Sequence, residues 1–266
     1  MACGGATGYA TSVREGQAMG HVYGKEFMDY AAASSRYAAE KIVHHLKSDL
    51  SPRSILDVGC AVGAWLDVWM QAGVSDVCGV DGDYVNRSQL LIPQDRFRAA
   101  NLAETVDLGR RFDLAQSLEV GEHITSSAAR IFVDSIARHA ERYVLFAAAP
   151  PGQGGEHHVN ERPYDYWRGL LAGHGFVPFD FVRPLIVADS RVSYWYRYNV
   201  ILYVRRQYIE SLPKNVSRTR VHDDSPIKDI SPLPFKIRKA AVRLMPLGVQ
   251  HHMARLKAQF LPTGRI

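Results

Sequence analysis

The chain has 266 residues, of which 47% are apolar and 22% charged, with a net charge of +5. That length and composition can bury one sizeable α/β core with chain to spare, which excludes both a disulfide-stapled miniprotein and a disordered polymer. Cys3, Cys60 and Cys78 make neither an even disulfide framework nor a paired metal spacing, residues 1–23 lack a basic patch ahead of an apolar core, and no window nears the ~20 apolar residues of a membrane span; a reducing cytoplasm is the expected compartment.

Residues 1–20 are rich in Gly, Ala, Thr and Ser. From Phe27 to Leu50 apolar residues recur at helical spacing, predicting a lid helix ahead of the first strand. Strands are then predicted near 54–58, 77–81, 96–99, 112–117 and 142–149, and helices near 63–72, 84–91, 103–109, 126–140 and 162–174. Such alternation predicts a parallel sheet with helices on both faces. Phe176 to Val187 and Tyr194 to Arg205 are β-branched and aromatic runs that read as a closing antiparallel pair. Gln207 to Pro232 is polar and proline-punctuated, a linker or wrapping arm, and Phe235 to Met245 is a basic amphipathic stretch. The expected organisation is an N-terminal segment and lid helix at 1–50, a catalytic domain at 51–206 and a basic C-terminal arm at 207–266.

The most informative run is Ser54-Ile55-Leu56-Asp57-Val58-Gly59-Cys60-Ala61-Val62-Gly63. An apolar strand ends in an acidic residue and turns through glycines, so the backbone can pass close to a ligand before a helix begins. A second strand ends in Asp81, followed by Gly82, and a carboxylate there can accept both hydroxyls of a ribose. Against the dinucleotide fingerprint G-x-G-x-x-G/A the loop is a degraded match, whereas D-x-G-x-G-x-G is met by Asp57, Gly59 and Gly63 with Ala61 as the one departure. The block from Arg111 to Ile124, containing Leu118-Glu119-Val120-Gly121-Glu122-His123-Ile124, follows at fourth-strand spacing. Together these segments resemble class I S-adenosylmethionine-dependent methyltransferases over about Ser54 to Arg206, in particular a bacterial group of small-molecule and glycan-associated enzymes.

The resemblance implies a Rossmann-like, doubly wound, seven-stranded, mostly parallel α/β sheet with an antiparallel edge pair, and S-adenosyl-L-methionine as cofactor. It places Asp57, Gly59, Ala61 and Gly63 at the methionine end of the cofactor and Asp81, with Gly82, at the ribose. Asn101, beside Leu102, either faces the adenine amino group or caps the next segment. Ser117, Leu118 and Glu119 open onto the cleft beside the sulfonium. Glu119 and His123 lie four apart, so a helix starting at Val120 would make them an imidazole oriented by a carboxylate. The Gly- and Pro-rich loop after the fifth strand carries Glu156-His157-His158-Val159-Asn160-Glu161, and His158, or His157 in its place, is the leading candidate for a proton acceptor, ahead of His123. Adjacent residues seldom converge on one ion, so no metal is expected there.

The N/D-P-P-Y/F motif of enzymes that methylate exocyclic base amines is replaced by Ser117-Leu118-Glu119-Val120, which argues against a nucleic acid substrate. The expected acceptor is a hydroxyl of a small metabolite or saccharide, met by the aromatic run Tyr194-Trp195-Tyr196-Arg197-Tyr198-Asn199. Residues 1–205 carry 20 Lys and Arg against 23 Asp and Glu, and residues 206–266 carry 12 against 4, so the basicity belongs to the tail. That tail has three open readings: peripheral contact with an anionic membrane, a homodimer interface, or docking on its own domain. Rival functions are a nicotinamide-dependent oxidoreductase on the same half-site and a non-catalytic cofactor-binding regulatory or scaffold subunit.

Overall fold

The computed structural model describes residues 25–246, 248 and 249. Its elements are α1 (Lys25–Leu50), β1 (Ser54–Val58), α2 (Ala64–Gln71), β2 (Asp76–Asp81), β3 (Phe97–Ala99), β4 (Phe112–Leu118), α3 (Ala129–His139), β5 (Ala140–Ala147), α4 (Tyr164–Ala172), β6 (Phe176–Phe179), α5 (Arg183–Ile186), α6 (Tyr194–Asn199), β7 (Ile201–Arg205), α7 (Lys214–Ser217) and α8 (Leu233–Arg243). The seven strands form one sheet in the order β3-β2-β1-β4-β5-β7-β6. β1 to β5 run parallel, and β7 pairs antiparallel with both β5 and β6. Strand order reverses between β1 and β4, the place where an open α/β sheet offers a crevice at its carboxyl edge. Register brings Asp57 level with Gly79 on one side and Gln116 on the other, which puts the ends of β1, β2 and β4 side by side.

Both faces of the sheet are covered, which is why β1 and β4 are buried along nearly their whole length rather than at alternate residues. Ile42, Leu46, Trp65 and Trp69 from α1 and α2 pack on one face, and Phe132, Ile136, Trp167 and Leu171 from α3 and α4 on the other. Burial of each such side chain stabilises the fold by about 1.5–3 kcal/mol. The sheet topology and its antiparallel edge are those expected.

Several local expectations are corrected. Residues 84–91 hold only a 3-10 turn at Arg87–Gln89, because the Asn86 side chain accepts from Ser88 N and Pro93 follows. Residues 103–109 are not helical, since the amides of Val106 and Leu108 donate instead to Ser135 Oγ and His139 Nε2 of α3. The aromatic run 194–199 is the helix α6 rather than strand, and only Ile201–Arg205 joins the sheet. The chain after β6 turns into α5, with Pro184 in its first turn.

Beyond β7 the chain wraps its own domain. Leu212, Val216 and Ile227 are buried, and Asp180 N and Val221 N bond to Thr219 O and Pro178 O alongside β6. α8 then docks with Phe235 against Tyr194 and Tyr198, Arg238 donating to Gln153 O (2.9 Å) and Lys239 paired with Asp229 (2.5 Å). Its Leu233 and Ile237 face outward. Among the described residues no helix is long and apolar enough to cross a membrane.

Candidate functional site

The glycine loop between β1 and α2 is built for close approach. Gly59 has φ +87°, and a Cβ there would lie 2.4 Å from Val120 Cγ2, so only glycine lets the loop sit against the segment after β4. Gly63, at φ +85°, starts α2. Asp81 organises the loop from the end of β2: its Oδ2 accepts from Ala61 N (2.6 Å), and its Oδ1 from Gly82 N (2.7 Å) and the Tyr84 hydroxyl (2.5 Å). Burial raises the Asp81 carboxyl above its usual range, opposed by those same hydrogen bonds. Asp57 is also buried, and burial pushes its carboxyl up to about 7, with Gln116 pulling it down and the Asp81 charge adding to the rise. Two buried carboxylates beside a glycine cradle fit a ligand that brings positive charge and hydroxyl donors.

Ala61 holds φ +47°, the left-handed region that explains why the motif has glycine at this place. Replacing Ala61 with glycine is expected to raise the thermal midpoint by roughly 2–4 °C, the shift of about 1 kcal/mol of relieved strain in a chain of this size. Differential scanning calorimetry checks this.

Asp57 has a second consequence. Its carboxyl titrates near 7 in the fold and near ~3.9 unfolded, so the native state holds an extra proton between those values. The stability it contributes is complete below the unfolded value and is lost as pH rises through 7. The thermal midpoint of the protein without cofactor is expected to fall between pH 5 and 8, and Asp57→Asn to flatten that slope, in a thermal-shift series.

Of the other expected cofactor residues, Ser117 is buried and donates to Val58 O (2.7 Å), tying β4 to the end of β1. Leu118 and Leu102 are buried. The Asn101 side chain accepts from Ala103 N (3.0 Å) and donates to Glu104 (2.8 Å), the capping arrangement, although no helix follows.

The second half of the site is assembled from the β4 end and the loop after β5. Val159 N and Asn160 N both donate to Glu122 O (2.9 and 3.0 Å), which staples the two segments together. His158 Nδ1 donates to Glu161 Oε1 (2.8 Å), and Glu161 also accepts from the amides of Gly152 and Gly154 (2.7 Å each). His123 Nδ1 donates to the His157 carbonyl (3.2 Å). The His123 and His158 rings meet edge to face with centroids 5.0 Å apart, and His158 Nε2 stands 3.9 Å from Glu122 Oε1. Glu122 is 1% exposed, and neither of its carboxylate oxygens has a hydrogen-bond partner among the described residues. Burial first and the Glu119 charge second push the Glu122 carboxyl well above the usual range, opposed by the backbone amides of Glu122 and Ala149. Gly155 lies against the His158 ring, where a Cβ would come 2.1 Å from Nε2. A cleft of about 340 Å³ opens beside His158, lined also by Pro151, Val159, Glu161, Arg162 and Arg243.

Glu119 has hydrogen-bond partners of its own. At φ +58° it accepts from Gln153 Nε2 (2.7 Å) and Asn199 Nδ2 (3.1 Å), and Asn199 in turn accepts from Tyr164 (2.9 Å). Burial pushes its carboxyl up to about 7, opposed by those amide donors. Gly121–His123 is a 3-10 turn rather than an α-helix, so Glu119 and His123 do not form the expected carboxylate-oriented pair. Of the three candidate histidines, the structure brings His123 and His158 together, while His157, at φ +57°, contributes its carbonyl and turns its ring toward Glu156 (3.6 Å). Sequence reasoning missed Glu122 and Glu161 as functional groups. The signal for Glu161 was its carboxylate three residues after His158, and for Glu122 its place beside His123 in the β4 motif.

A family model described as a methyltransferase domain matches residues 28–180. No curated protein matches the chain. Among solved structures the chain is similar to a sugar N-methyltransferase from a Streptoalloteichus species, at TM-score 0.52 and 17% identity over 76% of this chain and 100% of that one. It is also similar to an O-methyltransferase family protein from Burkholderia thailandensis, at TM-score 0.52 and 15% identity over 68% of this chain and 58% of that one. With more than half of its length matched, and with the glycine cradle and paired carboxylates in place, the chain belongs to the methyltransferase-domain family, whose cofactor is S-adenosylmethionine.

Proposed function

We propose that the protein transfers the methyl group of S-adenosylmethionine to a hydroxyl oxygen of a small metabolite or saccharide. The observation that carries this reading is the convergence of His123, His158 and Glu122, fixed by Glu161 and the His157 carbonyl, at the carboxyl edge of β4 and β5. A hydroxyl is a poor nucleophile until its proton is held or removed, and imidazoles locked by their other nitrogen are suited to that task. Val120, in contact with Gly59, joins this cluster to the cofactor loop through one short segment of chain. Donor and acceptor can then be held in line, which supplies most of the rate in a displacement at carbon. Tyr194 and Tyr198 pack against Phe235 and border a small pocket with Gln153 of the loop that carries His158, and tyrosine rings pack well on sugar faces. The similar solved structures include a sugar N-methyltransferase and an O-methyltransferase family protein, so the preference for oxygen rests on this chain's own side chains.

The test is a mass-spectrometric methylation assay with paired acceptors that differ only in carrying a hydroxyl or an amine at one position of a sugar. Methylation of the hydroxyl members is expected. Transfer confined to the amines would overturn the choice of oxygen, and tight cofactor binding with no transfer across the panel would favour the scaffold reading.

A further inference from the structure

We infer that Glu122, His123 and His158 form a binding site for a divalent first-row metal ion, such as Mn²⁺, Co²⁺ or Zn²⁺. One ligand atom from each of the three lies within 4.8 Å of the others. The tautomers follow from the partners. The His157 carbonyl and the Glu161 carboxylate can only accept, so each neutral ring carries its proton on Nδ1 and turns the lone pair of Nε2 outward. The cluster therefore offers two imidazole nitrogens and a carboxyl group as ligands. Glu122 is 1% exposed, and neither of its oxygens completes a hydrogen bond among the described residues, although the backbone amides of Glu122 and Ala149 favour its charged form. A buried carboxylate that completes no hydrogen bond is costly unless a proton or a cation neutralises it, and only a divalent ion would also engage both imidazole nitrogens.

The surroundings are those of a metal centre rather than of a lone base. Each imidazole is oriented through its distal nitrogen, one by a carboxylate and one by a backbone carbonyl, the usual supporting contacts of metal-bound histidine. Two nitrogens and one carboxylate oxygen suit ions of intermediate hardness and leave coordination positions open. The sequence expectation of no metal considered only Glu156, His157 and His158. The ligand it lacked comes from the end of β4, brought in by the two bonds from Val159 and Asn160 to Glu122 O.

This inference deepens the proposed oxygen methylation and rests on that reading for its role, though not for the existence of the site. An acceptor hydroxyl on the ion would lose its proton to solvent through the adjoining cleft. The freed oxygen lone pair would form the bond to the methyl carbon while the carbon–sulfur bond pair returned to sulfur, leaving a neutral thioether. A bound cation lowers the pKa of an attached oxygen acid by several units, so the step proceeds near neutral pH.

The test uses the full chain, treated with a chelator and dialysed. Titration with Co²⁺, followed by visible absorption, and with Mn²⁺, followed by its free-ion magnetic resonance signal, is expected to show one equivalent bound. Glu122→Gln and His158→Ala are expected to abolish that uptake, and Glu161→Gln to weaken it by about 10–100-fold, with cofactor affinity measured alongside to confirm folding. The inference is overturned if the chelated wild type takes up neither ion, or if folded Glu122→Gln and His158→Ala variants bind them as the wild type does. Metal uptake without hydroxyl methylation would leave the site standing and remove the oxygen reading. Full hydroxyl methylation in chelator, with no uptake, would do the reverse.

Discussion

Replacing His158 with alanine is expected to lower turnover on a hydroxyl acceptor by about 10²–10⁴-fold while leaving cofactor affinity unchanged. The imidazole sits within the cluster, with Nδ1 on Glu161 and Nε2 facing Glu122. The loop should survive the change, because Glu161 keeps its bonds from the amides of Gly152 and Gly154. Turnover at saturating acceptor is the quantity to measure, beside calorimetric binding of the cofactor. His123→Ala is expected to lose turnover on the same scale. His157→Gly, which keeps the carbonyl and suits a backbone at φ +57°, is expected to stay within about threefold of the wild type. Saturated turnover that survives in His158→Ala, with only the Michaelis constant raised, would reduce this histidine to a loop anchor.

The second large effect is at the other end of the site. Asp81→Ala is expected to weaken S-adenosylmethionine binding by roughly 1.5–3 kcal/mol, the scale for losing charge-assisted hydrogen bonds to a ligand. Asp81 already holds the amides of Ala61 and Gly82 and the Tyr84 hydroxyl, which shows that its two oxygens can serve loop and hydroxyl donors together. A ribose hydroxyl would occupy the position that Tyr84 now takes on Oδ1, and Tyr84 is 48% exposed, so it has room to withdraw. Calorimetry on the folded variant decides the matter. Unchanged affinity would mean that Asp81 only shapes the turn.

The glycine loop and its flanking carboxylates were legible in the sequence because they depend on contiguous backbone. Asp57, Gly59 and Gly63 lie within one loop, and Asp81 closes the next strand, so spacing alone carries the geometry. The departure at Ala61 was visible too, and its left-handed backbone shows what glycine would have supplied. The cluster of Glu122, His123 and His158 was harder to read. Glu122 meets His158 only after β5 has been laid beside β4 and the following loop has folded back onto Glu122 O, a consequence of tertiary pairing that no local period records. The helical expectation at 103–109 failed for the same reason, since its amides find partners on α3, far along the chain. Aromatic residues 194–199 read as strand from their composition, yet packing against the sheet's end made them a helix.

The docking of α8 on the loop that carries His158 sets an order of assembly. Gly152 leaves no room for a side chain because the Lys239 carbonyl lies where its Cβ would be, 2.1 Å away, so this helix is a fitted cover for the loop. Yet the strands that make the cofactor crevice, β1, β2 and β4, are complete by Leu118, more than a hundred residues before α8 begins at Leu233. A chain leaving the ribosome therefore gains the strands that frame the glycine loop long before the helix that covers the His158 loop. S-adenosylmethionine bound at that stage would stabilise the growing sheet by mass action, making the cofactor a folding ligand for the nascent chain before any acceptor can be engaged.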